Sequence, residues 1–131
     1  MGLLTKIFGR GDGEERAEKK GLPWKSLTIR EQLETIGENS YSRPQLVYKH
    51  STTCGISSMV FRLLETSEAL QDGKADLYFL DLHAHRDISN LIAENYGVRH
   101  QSPQVLVIRN GKVVATASHG GITELPLEKH L

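Results

Sequence analysis

Three short apolar runs constrain the fold of this chain more than any other feature of its sequence. They occupy residues 46–48, 77–82 and 105–108, and their length and their branched and aromatic side chains are typical of buried strands. Apolar residues with helical spacing separate the runs, and strands joined through a helix pair in parallel with a right-handed crossover. The pattern therefore predicts an α/β sheet with helices against both faces.

A further strand extends this sheet near the end of the chain. Asn110-Gly111 follows the third run after one residue, Arg109, and this dipeptide is the strongest short-range signal for a β-hairpin. Residues 113–115 then form the returning antiparallel strand. The prediction is a mixed sheet of four strands.

Two helices are predicted between the three runs. The second has Asp87 as its cap and ends at Gly97, because glycine adopts the left-handed conformation that often follows a helix. The first has Thr52 or Thr53 as its cap. Four apolar residues are expected to form its inner face: Ile56, Val60, Leu63 and Leu64.

Length and composition indicate one domain with a tail. The chain has 131 residues, of which 38% are hydrophobic and 24% charged, enough for a single core. Residues 22–131 are assigned to this domain. Residues 1–21 are assigned to a flexible, solvated tail, because residues 9–21 lack any apolar period. The short apolar start, Met1 to Phe8, makes a membrane-surface anchor the less favoured alternative.

The charge balance argues against a nucleic-acid partner, and the hydropathy argues against a membrane span. Sixteen Lys and Arg residues balance sixteen Asp and Glu residues, which argues against nucleic acid because phosphate neutralisation needs a basic excess. No apolar run approaches the roughly 18 residues of a membrane span, and a signal peptide is not expected. The chain is therefore predicted to bind no nucleic acid and to have no membrane span.

Cys54 is the only cysteine, which excludes an intrachain disulfide, a two-cysteine redox centre and an all-cysteine zinc site. It stands where the first run ends and a helix begins, and free N–H groups and the helix dipole stabilise a thiolate there. A free thiol is only about 3% ionised at pH 7. A helix end lowers its pKa by up to about one and a half units. This position favours a nucleophilic cysteine that needs further help from its neighbours.

Three nearby side chains are expected to supply that help. Ser57 can direct its hydroxyl at the sulfur, and a cation at Lys49 or His50 would favour the thiolate. The sequence leaves open which of these two faces the sulfur. The alternative is a buried, inert cysteine, but polar Thr53 before it and Gly55 after it favour an exposed sulfur.

Two other features of the sequence involve residue types that can take part in chemistry. Ser102-Pro103 precedes the third run, and the dipeptide alone favours a trans bond because only about 5–6% of such bonds are cis in folded proteins. His83 and His85 share one face of an extended segment, and His50 and His119 are expected near strand ends. No metal is predicted, because metal-ligand spacings such as His-Glu-x-x-His and Cys-x-x-Cys are missing from the sequence.

The order of these features resembles the thioredoxin fold over roughly residues 22–125. A closer resemblance, to the YtxJ family of monothiol bacilliredoxin-like proteins, is carried by residues 22–27 and 48–59. Its specific part is the pattern K-H-S-T-x-C-x-I-S. The family's usual T-C-P-I-S has proline where this chain has Gly55.

The resemblance implies a cytosolic thiol–disulfide exchange protein that uses bacillithiol, a low-molecular-weight thiol, as co-substrate and holds no tightly bound cofactor. Its partners would be bacillithiolated proteins, from which Cys54 removes bacillithiol by exchange. A second thiol must then release the bacillithiol. The resemblance also implies that the peptide before Pro103 is cis and lies against the Cys54 sulfur.

The candidate site residues fall into three sets: Cys54, Ser57 and Pro103 for catalysis; Thr53, Gly55 and Ser102 for substrate binding; and Lys49 and His50 around the thiolate. Two other functions stay open. The sequence Cys-Gly-Ile-Ser at 54–57 differs by one residue from the C-G-F-S site of monothiol glutaredoxins, which would make the chain an iron–sulfur cluster carrier. The other is a thioredoxin-fold binding module in which Cys54 has no catalytic role.

Overall fold

A computed structural model of the protein describes residues 22–53 and 55–131. The strands are β1 (Trp24–Ser26), β2 (Gln45–His50), β3 (Asp76–Asp81), β4 (Gln104–Arg109) and β5 (Lys112–Ser118). The helices are α1 (Glu31–Asn39), α2 (Gly55–Glu65), α3 (Glu68–Gln71) and α4 (Arg86–Tyr96). Two 3-10 helices, His119–Glu124 and Leu127–Lys129, follow the last strand. The predicted tail, residues 1–21, lies outside the described residues.

The sheet of the described chain has five strands in the order β1-β3-β2-β4-β5, so the prediction of four was wrong. β3 lies parallel to both β1 and β2, while β4 is antiparallel to β2 and β5. The missed strand is β1, which has only three residues, two of them exposed. So short and exposed a strand has no apolar period, and it forms because Trp24–Ser26 pairs with Leu77–Phe79.

Helices cover both faces of the sheet, as the sequence predicted. The α2 face holds one core, with α3 and the 3-10 helices: Leu46, Tyr48, Val60, Leu64, Leu70, Ala75, Leu77, Val105, Val107, Ile122 and Leu127. The α1 and α4 face holds the other: Leu27, Leu33, Ile36, Val47, Tyr78, Leu80, Ile88, Ile92, Leu106 and Ile108. Neighbouring residues of β2 and β4 alternate between the two cores, because successive side chains of a strand point to opposite faces.

The inner face of α2 differs from the prediction. Val60 and Leu64 are buried, but Ile56 and Leu63 are 45% and 48% exposed. The third buried position of the helix is Ser57. The helix is therefore rotated so that the Ser57 hydroxyl, and not the Ile56 side chain, enters the interior. There the hydroxyl forms hydrogen bonds with residues 48, 50 and 51 at the end of β2.

Two predictions are confirmed: the helix end at Gly97 and the hairpin turn at Asn110-Gly111. Gly97 follows α4 in the left-handed conformation with φ 66°, although the residue that caps the start of α4 is His85 and not Asp87. Asn110 and Gly111 have φ of 54° and 77°, as a two-residue hairpin requires. Ser40 holds this turn, since it accepts the Asn110 N–H at its carbonyl and the Gly111 N–H at its hydroxyl.

No helix of the described segments has the length and apolar character needed to cross a membrane.

We expect Gly111→Ala to lower the free energy of unfolding by about 1–2 kcal/mol, the cost of an L side chain at positive φ. The new Cβ would also lie 2.6 Å from the Tyr41 hydroxyl oxygen, so this exposed ring must move. Urea unfolding followed by circular dichroism measures the loss. Gly120→Ala is the control, because a Cβ there meets no described atom within 4 Å. Equal unfolding of the two variants would contradict the prediction.

Candidate functional site

The candidate site lies at the edge of the sheet where β2 and β3 end. Because β4 is antiparallel to β2, its first residues lie at the same edge. Cys54 itself lies outside the described residues, but its neighbours in the chain are Thr53 and Gly55, the first residue of α2. Both neighbours are exposed. A Cβ at Gly55 would meet no described atom within 4 Å, so local packing does not require glycine there.

Ser57 is fully buried and joins β2 to the start of α2. Its hydroxyl oxygen lies 2.9 Å from His50 Nδ1 and 3.0 Å from the Tyr48 hydroxyl, and it accepts the Ser51 N–H at 3.1 Å. The Tyr48 hydroxyl also donates to the Ser57 carbonyl at 2.7 Å. This network holds the first turn of α2 against the end of β2. The predicted role of Ser57 toward the sulfur stays a prediction.

His50 faces the same side of the sheet as Tyr48 and contacts the rings of Phe61 and Phe79. Burial lowers the pKa of His50, which Asp81 opposes and His83 reinforces. Its imidazole is therefore largely neutral near pH 7. A neutral ring can accept a hydrogen bond from the Ser57 hydroxyl at Nδ1 or donate one to it, depending on its tautomer.

Lys49 points to the opposite face, because it lies between Tyr48 and His50 on the same strand. It is fully buried, with Nζ 3.4 Å from the Ser89 carbonyl and 3.4 Å from His100 Nδ1. Burial lowers the pKa of Lys49 to about 8. The structure thus brings His50 together with Ser57, and it places Lys49 across the sheet from them.

The Ser102–Pro103 peptide bond is cis, as the family resemblance implied and against what the dipeptide alone favoured. Gln104 pairs with Lys49, and continuing that register places Pro103 beside His50. Pro103 is buried and its carbonyl accepts the His119 N–H at 2.9 Å. The predicted contact of this peptide with the sulfur lies outside the described residues. The Ser102 hydroxyl is buried and has no partner among the described residues.

His83 also belongs to this site, although no motif in the sequence connects it with Cys54. It lies on the turn after β3, and its Nε2 is 3.1 Å from the Ser51 hydroxyl and 3.3 Å from the Thr53 hydroxyl. No local signal connects residues that are 30 or more positions apart. Within residues 22–53 and 55–131, no group of three or more His, Asp or Glu side chains is arranged to hold a metal ion.

Comparison with known proteins agrees with this architecture. A proposed oxidoreductase with a thioredoxin fold is 31% identical, with a TM-score of 0.69, over 86% of this chain and 95% of that one. Thioredoxin from Fasciola hepatica is 20% identical, with a TM-score of 0.65, over 82% of this chain and 99% of that one. Thioredoxin from Malassezia sympodialis is also 20% identical, with a TM-score of 0.62, over 84% and 91%. The fold and the single cysteine before α2 define a thioredoxin-fold thiol oxidoreductase.

Within that class the assignment is narrower. The model of the monothiol bacilliredoxin BrxC family matches residues 25–127. The chain therefore belongs to the monothiol bacilliredoxin BrxC family, which confirms the resemblance found in residues 48–59.

We expect Ser57→Ala to lower the free energy of unfolding by about 1–3 kcal/mol, the cost of leaving buried polar groups without a partner. The Ser51 N–H and His50 Nδ1 both lose this hydroxyl. Urea unfolding measures the change. Ser58→Ala, at an exposed position of the same helix turn, should change stability by less than about 0.5 kcal/mol. Similar losses in both variants would contradict a structural role for the Ser57 network.

We expect the contribution of Lys49 to stability to rise with pH. Its folded pKa of about 8 lies below the roughly 10.4 of an unfolded lysine. Between these values the unfolded chain binds the extra proton, so folding becomes more favourable as the pH rises, by at most about 1.4 kcal/mol per pH unit.

The measurement is urea unfolding of the wild type and Lys49→Met from about pH 7 to about pH 10. The stability of the wild type relative to the variant should increase over this range. Lys112→Met, at an exposed position of β5, is the control and should show a constant difference. A constant difference for Lys49→Met would mean that the buried lysine does not titrate as the geometry implies.

Proposed function

We propose that this protein removes bacillithiol from mixed disulfides with protein cysteines, with the Cys54 thiolate as the nucleophile. The observation that carries the proposal is membership of the monothiol bacilliredoxin family in a chain with one cysteine. A chain with one cysteine cannot close an internal disulfide. Release of the protein thiol by this chain therefore leaves the small thiol on the Cys54 sulfur.

The arrangement around position 54 supports this proposal. Thr53 and Gly55 are exposed, which leaves the approach to this part of the chain open to a protein substrate. His50 and Ser57 are hydrogen-bonded to each other next to these residues. Pro103 directly precedes β4, the strand that pairs with the end of β2. We assign substrate contacts to Thr53, Gly55 and the backbone of Ser102, and thiolate stabilisation to Ser57.

His50 and Lys49, the two residues expected around the thiolate, lie on opposite faces of the sheet. His50 lies on the α2 face, one hydrogen bond from Ser57. Lys49 lies on the other face, so its positive charge would favour the thiolate only through space. Because the pKa of Lys49 falls to about 8, that charge is still largely present at neutral pH.

The reaction is a thiol–disulfide exchange. The Cys54 thiolate attacks the bacillithiol sulfur of the mixed disulfide, the sulfur–sulfur bond breaks, and the protein cysteine leaves as a thiolate that takes a proton from water. A new disulfide joins Cys54 to bacillithiol. A second low-molecular-weight thiolate then attacks the bacillithiol sulfur, forms a disulfide with it and releases the Cys54 thiolate. Both exchanges leave the number of disulfides unchanged. The second thiol is the reductant, because it ends in a disulfide with bacillithiol while the protein cysteine is returned as a thiol. We propose the cytoplasm as the location, where thiols are kept reduced.

The test is to incubate a bacillithiolated protein with this protein and to follow its mass. We expect loss of one bacillithiol from the substrate and gain of one bacillithiol on the wild type, and neither change with Cys54→Ser. Ser58→Ala is the control and should act as the wild type. Equal release by Cys54→Ser and the wild type would contradict the proposal. A protein that instead shows cluster absorbance after anaerobic reconstitution would favour the iron–sulfur alternative.

A further inference from the structure

Three polar side chains contact one another next to Cys54: Ser51 and Thr53 precede it in the chain, and His83 comes from the turn after β3. His83 Nε2 lies 3.1 Å from the Ser51 hydroxyl and 3.3 Å from the Thr53 hydroxyl. The two hydroxyl oxygens lie 3.2 Å apart. We call this set, His83, Ser51 and Thr53, the His83 triangle. It ties the turn after β3 to the segment that immediately precedes Cys54.

The turn that carries His83 is fixed by its own backbone bonds. The His83 N–H donates to Asp81 Oδ1 at 3.1 Å, and the His85 N–H donates to the Asp81 carbonyl at 3.0 Å. The Leu82 N–H donates to the His50 carbonyl at 2.9 Å. These bonds hold the turn against the ends of β2 and β3. These bonds therefore fix the backbone that carries the His83 imidazole next to residues 51–53.

The loop side of the triangle is supported unequally. Ser51 is buried, and its N–H is held by the Ser57 hydroxyl. Thr53 is exposed, and its hydroxyl bonds to Ser51 and His83. The triangle therefore orients the Thr53 side chain, whereas the Ser51 backbone is held by Ser57 as well.

Two of the three sides of the triangle can be hydrogen bonds at one time. The two hydroxyls bring two protons, and Nε2 can accept one of them in the tautomer that leaves this nitrogen unprotonated. The second proton can then lie between the two hydroxyl oxygens. These hydrogen bonds restrict the loop, and one such bond contributes about 0.5–1.5 kcal/mol net.

We infer that His83 is a positioning residue, which orients the Ser51–Thr53 segment and so sets the reactivity of the cysteine that follows it. The inference rests on the proposed function, in which Cys54 is the nucleophile. His83 needs no contact with the reacting atoms for this role. An ordered segment would hold the thiol at the start of α2, where backbone N–H groups and the helix dipole favour the thiolate. If the segment were loosened, the Cys54 thiol would ionise less readily.

The experiment measures the rate constant for alkylation of the full chain by iodoacetamide as a function of pH. We expect His83→Ala to slow the reaction at neutral pH by about 2- to 10-fold, the value of one net hydrogen bond, and to move the midpoint of the pH profile upward. His83→Gln keeps a polar group that can bond both hydroxyls and should restore most of the rate. His85→Ala is the matched control, since His85 lies on the same turn and makes no side-chain cap bond.

A double variant separates positioning from a general loss of structure. Thr53→Val removes the hydroxyl on the loop side, so it should slow alkylation as His83→Ala does, and combining the two should add little. Additive losses would overturn the inference, as would a rate for His83→Ala equal to that of the wild type. Failure of His83→Gln to restore the rate in a protein that unfolds at the wild-type urea concentration would also overturn it. If His83→Ala does not fold, Thr53→Val alone decides between these outcomes.

The alkylation experiment and the bacillithiol-release experiment can fail independently of each other. Wild-type protein that releases no bacillithiol, but whose alkylation depends on His83, contradicts the proposed function and leaves the positioning role standing. Wild-type protein that releases bacillithiol with no dependence on His83 leaves the proposed function standing and removes the positioning role.

Discussion

The alternation of side chains along β2 is the constraint on which both the core and the candidate site depend. This strand lies between β3 and β4 and is buried on both faces, so each of its residues must suit one core or the other. Leu46 and Tyr48 enter the α2 core, and Val47 enters the α4 core. The same alternation continues into polar residues at the end of the strand. It sends His50 toward α2 and Lys49 toward α4.

Burying polar groups at the end of β2 is tolerated because they bond to one another. Tyr48, His50 and the Ser51 N–H all meet the Ser57 hydroxyl, which explains why α2 turns Ser57 inward and leaves Ile56 outside. A buried hydroxyl with these partners costs little, whereas the same groups without it would be expensive. The network therefore fixes the rotation of the helix whose first residue follows Cys54.

The proposed chemistry depends on the same edge of the sheet. In an α/β fold, the ends of neighbouring parallel strands bring residues from distant parts of the chain together. Here β2 supplies His50, β3 leads into His83, and the cis peptide before Pro103 opens β4. A single sulfur needs help from such neighbours, since a helix end alone leaves a thiol only partly ionised at neutral pH.

Local patterns in the sequence determined much of this protein. The apolar runs at 46–48, 77–82 and 105–108, the Asn110-Gly111 turn and the position of Cys54 before a helix were readable because each depends on neighbours along the chain. The cis bond before Pro103 came from the family resemblance, because a dipeptide by itself favours trans.

Tertiary structure alone decided the rest. β1 exists because β3 offers a free edge, and the exposure of Leu63 follows from how α2 is rotated on the sheet. The contact of His83 with Ser51 spans 32 positions, and the separation of Lys49 from His50 depends on which core each face of β2 meets. The physical reason is that periodicity fixes the spacing of side chains within an element, whereas packing between distant elements fixes what each side chain meets.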